Sequence, residues 1–216
     1  MRIGILSDTH GLLRPEVVSR FMGCDAIVHA GDIDRPSVLE ELCRIAPVYA
    51  VRGNNDRGWA SDIPHVLDLN LGGKRLFVVH DKKDLPDDCL GYDLVVYGHS
   101  HRYACEMRGH TIIFNPGSCG PRRFRQEITF AMAEIQDGKI RIERIDVEKM
   151  KEKAKTSGEN LKQQIAVIMR EIDKGFGYNQ IAERHGFDVE TTERIVRLYV
   201  THPGVTADGI MAKMGL

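Results

Sequence analysis

Up to about residue 147 the chain alternates short apolar runs with polar loops or amphipathic stretches. Five runs, Arg2 to Leu6, Asp25 to His29, Val48 to Val51, Leu76 to Val79 and Leu94 to Tyr97, are rich in Ile, Val or Leu and bounded by Gly, Asp or His, the pattern of buried strands. Pro15 to Met22 and Pro36 to Ile45 read as helices that begin at proline, and in the second Val38, Leu39, Leu42 and Ile45 share one face. The opening is therefore βαβαβ. From His65 onward the connections shorten. Leu67 to Leu71 and Lys74 to Val79 flank Gly72-Gly73, Tyr103 to Met107 and Thr111 to Phe114 flank Arg108-Gly109-His110, and Ile128 to Ile135 and Lys139 to Val147 flank Asp137-Gly138, so three hairpins are expected. An α/β half followed by antiparallel strands predicts two sheets packed face to face with helices outside, a four-layer αββα sandwich.

At Glu148 to Gly158 the pattern changes to EKMKEKAKTSG, with little apolar content, which reads as a solvated linker or frayed helix. Beyond it the periodicity is helical. Leu161, Ile165, Ile168, Met169 and Ile172 recur on one face behind an Asn160 cap, followed by Tyr178 to His185, Asp188 to His202 and Thr206 to Met214. The middle pair, joined at Gly186, resembles a helix-turn-helix. The expected organisation is a first domain over 1–147, a linker over 148–158 and a small all-helical domain over 159–216.

The 216 residues are 42% hydrophobic and 28% charged, and 30 basic against 31 acidic side chains leave a formal charge of -1, as in a folded, water-soluble protein. No basic excess advertises nucleic acid. The five cysteines are scattered without a CxxC pair, which fits a reducing cytoplasm. No apolar stretch approaches the roughly 18 residues of a membrane span, and the N-terminal run is too short for a signal peptide. Nine histidines beside only 6% aromatics stand out, because histidine is the commonest metal ligand.

Their positions are ordered. Asp8-Thr9-His10 follows the first run; in an extended segment side chains two apart point the same way, so a carboxylate and an imidazole can converge on one ion. Asp32 after Gly31 and Asn54 after Gly53 place oxygen ligands at the ends of the second and third runs, His80 ends the fourth, and Gly98-His99-Ser100-His101 ends the fifth. Each motif alone is compatible with a turn or a satisfied histidine. Their repetition at all five strand ends points to a shared polar site.

That set resembles the calcineurin-like metallophosphoesterases, whose pattern is DxH, GD, GNxD, a strand-ending His and GHxH. The resemblance covers roughly residues 1 to 147, and Asn115-Pro116-Gly117-Ser118 with Pro121-Arg122 narrows it to YfcE-type small phosphodiesterases, which also resemble the retromer subunit of vacuolar sorting. It implies one metal held by Asp8, His10, Asp32 and His101 and a second by the shared Asp32 with Asn54, His80 and His99. Two such ions lower the pKa of a bridging water, so that hydroxide attacks a phosphodiester in line without a protein nucleophile. Mixed N/O ligation without thiolate favours Mn²⁺, Fe or catalytic Zn²⁺, with Ni also in range, and the resemblance puts Mn²⁺ first. The substrate expected is a small phosphodiester or nucleotide.

Asn55 stands where many superfamily members carry a histidine that faces the leaving group, and asparagine cannot act as a general acid. The change favours leaving groups that need little protonation. Asp81, where the family often has glycine, reads as the start of the following loop. Asp56 is expected to support the Asn54 segment, and Arg122 to meet a substrate phosphate, with Arg123 and Arg125 nearby in a solvated basic loop. His29 lies close enough to the ligand runs to brace them. From Glu148 on, eleven basic residues oppose ten acidic ones, and Asp188, Glu190 and Glu193 sit where a recognition helix would approach phosphates. DNA binding is thus disfavoured against an oligomerisation or substrate-access role. A non-catalytic scaffold like the retromer subunit and a nucleotide-linked DNA regulator are the alternative readings.

Overall fold

The computed structural model describes residues 1–86, 88–123 and 126–216. Its strands are β1 (Arg2–Leu6), β2 (Ala26–His29), β3 (Val48–Ala50), β4 (Val66–Leu71), β5 (Lys74–Val79), β6 (Leu94–Val96), β7 (Tyr103–Arg108), β8 (Thr111–Pro116), β9 (Thr129–Gln136) and β10 (Lys139–Asp146). The α-helices are α1 (Pro15–Phe21), α2 (Pro36–Cys43), α3 (Val147–Asp173), α4 (Tyr178–His185), α5 (Val189–Thr201) and α6 (Ala207–Met214). Two compact units result, residues 1–150 and 151–216.

The first unit is an α/β fold of two mixed five-stranded sheets, ordered β10-β9-β1-β2-β3 and β4-β5-β6-β8-β7. β1, β2 and β3 run parallel, as the βαβαβ pattern requires, and the three hairpins pair antiparallel. One feature departs from the expected run of antiparallel strands: β5, β6 and β8 are mutually parallel. The reason is that β6 enters between β5 and β8 by loop crossovers, so its neighbours belong to two different hairpins. The consequence is functional. Five parallel strands, β1, β2 and β3 in one sheet and β5 and β6 in the other, precede the five ligand-bearing motifs, and carboxyl ends of parallel strands are where such sheets collect ligands.

Between the sheets, Ile3, Ile5, Val28, Leu76, Val78, Leu94, Val96 and Phe114 form the central core. On the far face of the first sheet, Leu6, Ile27 and Phe130 pack against Val17 and Phe21 of α1 and Val38 and Leu42 of α2. Each fully buried side chain of this size contributes roughly 1.5–3 kcal/mol relative to exposure. The far face of the second sheet is covered by Leu85, Cys89 and Tyr92, from a loop with a 3-10 turn over Lys82–Asp84.

The stretch 148–158, read as a solvated linker or frayed helix, is helical throughout, the start of the 27-residue α3. Its Lys, Glu and Ala are strong helix formers, Lys155 and Glu159 face each other one turn apart, and propensity outweighs the missing apolar stripe. Helix initiation also moves. Asp146 Oδ1 accepts the N–H groups of Glu148 and Lys149, so Asn160 lies mid-helix and caps nothing. In the second unit Ile165, Ile168, Ile181, Ile195 and Ile210 are fully buried together. Asp188 and Thr206 cap α5 and α6, and Gly186, at φ 66°, ends α4 in the left-handed conformation. Among the described residues no helix is long and apolar enough to cross a membrane.

Candidate metal centre

The five motifs meet at one place. Ligand atoms of Asp8, His10, Asp32 and His101 lie within 4.8 Å of one another. Next to them, Asn54 Oδ1 lies 3.1 Å from His80 Nε2 and 2.9 Å from His99 Nδ1. Asp32 stands between the groups: Oδ1 is 3.3 Å from His80 Nε2, and Oδ2 is 3.8 Å from His10 Nε2. The seven side chains singled out in the sequence therefore lie together, with Asp32 between the two groups.

The convergence is not achieved by extended backbone. Asp8, His10, Asp32, His99 and His101 all adopt positive φ, between 46° and 65°. Non-glycine residues in that region cost of order 1 kcal/mol or more each and cluster at functional sites. Glycine permits the close packing that holds them. A Cβ on Gly53 would overlap the backbone nitrogen and Oδ1 of Asp32, and Gly31, at φ 88°, lies against the His80 ring.

Supporting hydrogen bonds set each ligand's orientation. His10 Nδ1 faces Asp34 Oδ2 at 3.0 Å and His80 Nδ1 faces the Ala30 carbonyl at 2.7 Å, so both rings carry Nδ1–H and turn Nε2 inward. Asp56 accepts the N–H groups of Ile33, Asp34 and Gly53 at 2.7–2.9 Å, tying the β2 and β3 ends together. The bond from Gly53 lies next to Asn54. Buried His29 accepts from the Gly31 N–H through Nδ1 and donates from Nε2 to Thr9 Oγ1, linking the β1 and β2 ends. Asn115 donates to the Gly98 carbonyl and to Ser100 Oγ, which shapes the loop between His99 and His101.

The electrostatics of the site suit a cation. Burial, set against a hydrogen bond from Ser7, raises the Asp8 carboxyl to about 6, and its Oδ1 is buried with no hydrogen-bond partner. An orphaned buried carboxylate oxygen is costly unless positive charge faces it. Burial acts to raise Asp32 too, but hydrogen bonds from His80 and Asn55 outweigh it and hold the group below its ordinary value. At His80 burial acts to lower the pKa, and the Asp32 and Ala30 partners reverse that and raise it to about 9. Burial, with Arg123 and His10 nearby, lowers His101 to about 4, keeping that imidazole neutral and ligand-competent. Two buried carboxylates, an amide oxygen and four imidazoles with oriented nitrogens fit divalent cations by donor type, by orientation and by the unpaired Asp8 oxygen.

Residues 1–138 match the calcineurin-like phosphoesterase superfamily domain. The chain belongs to that superfamily. Among its relatives, a probable metallophosphoesterase of Methanothermobacter thermautotrophicus is 30% identical over 164 residues, 69% of this chain and 89% of the relative. The phosphodiesterase YfcE of Escherichia coli is 30% identical over 149 residues, 55% of this chain and 79% of the relative. A crystal structure of a conserved protein of Streptococcus pneumoniae, described as a predicted phosphoesterase, superposes with a TM-score of 0.54 at 28% identity, covering 67% of this chain and 88% of that one. A metal-dependent phosphoesterase is what this membership and the donor set together make of the first unit.

Some side chains lie elsewhere than the sequence suggested. Arg122, expected at the phosphate, extends to Glu148, with Nη2 3.6 Å from Oε1. Arg123 turns inward instead, with Nη2 3.1 Å from His10 Nε2. Arg125 lies outside the described residues. Asp81 caps the turn over Lys82–Asp84, as a loop start would, and its Oδ2 also lies 3.9 Å from His99 Nε2. Asp34 is absent from the motif pattern, although its place two residues after Asp32 repeats the spacing of Asp8 and His10.

Proposed function

We propose that the first unit is a dinuclear-metal phosphodiesterase that hydrolyses a small phosphodiester or nucleotide, with Mn²⁺ the first metal to test. The observation that carries this reading is Asp32, whose two oxygens each face a different donor set. When bound, two divalent ions would supply an activated water and neutralise phosphoryl oxygens. The protein's own contribution is preorganisation. Asp8, His10 and His101 would hold one ion and Asn54, His80 and His99 the other, with Asp32 common to both. His80 gives up its Nε2 proton on becoming a ligand, so binding releases a proton there.

Asn55 bears on the substrate. Its Nδ2 donates to Asp32 Oδ2 at 2.6 Å and its backbone N–H to Oδ1 at 2.9 Å, so this side chain steadies the shared carboxylate and has no proton to transfer. Diesters whose leaving groups depart without protonation are therefore the favoured class. The five free cysteines accord with a reducing cytosol. The helical unit stays outside the chemistry in this reading. At the start of α5 the capping Asp188 and first-turn Glu190 present negative charge that repels phosphate, while Glu193 pairs with Arg197.

The test is hydrolysis of an aryl phosphodiester with Mn²⁺, before and after chelation and after Mn²⁺ is restored. Turnover that disappears with chelator and returns with metal is expected. Its absence in folded protein refutes the proposal.

A further inference from the structure

Arg123 closes the ring of donors on the His10 side, and the chemistry of that contact is specific. His10 Nδ1 faces the Asp34 carboxylate, which only accepts, so the ring proton is on Nδ1 and Nε2 presents a lone pair. Arg123 Nη2, at 3.1 Å, donates to that lone pair. It is the same lone pair through which His10 would hold a cation. One lone pair cannot serve a guanidinium and a metal ion at once, and two cations side by side repel.

The backbone that carries Arg123 is registered against the ligand loop. Ser118 Oγ donates to the Asp8 carbonyl at 3.0 Å, and the Cys119 N–H donates to the Ser7 carbonyl. Arg14 donates to the carbonyls of Cys119 and Gly120 at 3.0 and 2.9 Å, and Gly120 packs directly on the Asp8 and Thr9 backbone. Residues 118–120 are held there, and Arg123, an exposed residue, follows three positions on. A guanidinium there offers a permanently charged fork suited to two phosphoryl oxygens.

We propose that Arg123 is the phosphate-positioning residue of this site, a guanidinium that competes with a cation for the His10 lone pair and meets phosphoryl oxygens where a cation takes that lone pair. The inference rests on the phosphodiesterase reading above and adds to it the residue that meets the substrate anion.

The experiment uses the full chain, wild type and the variants Arg123→Ala, Arg123→Lys and Arg122→Ala, each checked for folding by circular dichroism. Calorimetric titration with Mn²⁺ alone reads the competition. Inhibition of aryl diester hydrolysis by inorganic phosphate, with kcat and KM measured separately, reads the anion contact. Arg123→Ala is expected to bind Mn²⁺ about fivefold tighter, because a competing hydrogen bond worth about 1 kcal/mol is gone. Its phosphate inhibition constant is expected to rise about tenfold, the equivalent of about 1.4 kcal/mol, with a raised KM. Arg123→Lys should fall between, keeping the charge and losing the fork. Weaker Mn²⁺ binding in Arg123→Ala, an unchanged phosphate constant, or a larger loss in Arg122→Ala overturns the inference. A wild type that binds no Mn²⁺ and turns nothing over overturns the phosphodiesterase reading and this inference with it. A wild type that does both while the Arg123 variants match it overturns the inference alone.

Discussion

Replacing Asp8 with asparagine should stabilise the metal-free protein and destroy its metal site. Asp8 is fully buried, with Oδ2 accepting from Ser7 Oγ at 2.6 Å and Oδ1 3.3 Å from His101 Nε2. Its carboxyl is raised from 3.8 to about 6, chiefly by burial. Between those values the folded state binds more protons than the unfolded state, so stability falls as pH rises through the window, and above about pH 6 the whole deficit is present. At roughly 1.36 kcal/mol per pH unit, the deficit is about 3 kcal/mol. Asparagine has the same shape and keeps an oxygen for Ser7. Urea unfolding in chelator at pH 7.5 should therefore show Asp8→Asn to be more stable by up to about 3 kcal/mol, with the gain gone near pH 3.5. Excess Mn²⁺ should reverse the order, because the wild type gains binding free energy that the variant cannot. A variant less stable than wild type in chelator at pH 7.5, or one that gains as much from Mn²⁺, refutes the reasoning.

Asp32→Asn should abolish diester hydrolysis and lower the Mn²⁺ content at both positions, as read by metal analysis after gel filtration; full retention of two ions would contradict the shared-carboxylate role. Gly53→Ala sets a Cβ against the Asp32 backbone and Oδ1, so metal affinity and activity should fall together, with about 1–3 kcal/mol of stability lost in denaturant unfolding. An alanine variant with native Mn²⁺ affinity would show that this contact yields freely. His29, which burial lowers from 6.5 to about 3, should make the protein acid-sensitive: the unfolded chain takes up the proton first, and stability is lost as pH falls below 6.5 toward 3. By pH 4.5 the loss is about 3 kcal/mol. Compared with His29→Gln at pH 7.5 and 4.5, the wild type should lose that much more on acidification, and parallel losses would exclude His29 as the cause.

The candidate donors were legible in the chain because they rest on local chemistry. Apolar runs of strand length mark where buried strands stop, and the residues just past those stops are Asp8 and His10, Asp32, Asn54, His80, and His99 with His101. Periodicity likewise foretold α1, α2, the three hairpins and the last three helices. Where local signals compete, the sequence was a poorer guide. The charged stretch 148–158 has the composition of a linker and the propensities of a helix, and it is helix.

What only the tertiary structure decided depends on contacts between residues far apart in the chain. No local rule makes β5, β6 and β8 parallel, and strand order follows from packing two sheets on one core. The left-handed backbone of five ligands persists because neighbouring strand ends hold it, through bonds such as Gly53 N–H to Asp56 and Thr9 to His29. The choice between Arg122 and Arg123 is the sharpest case. Both are arginines on one loop, and the bonds from Ser118 to Asp8 and from Arg14 to Cys119, more than a hundred residues apart in sequence, fix the loop that turns one toward His10 and the other toward Glu148. Residue type sets which chemistry is available, and packing sets which atoms meet.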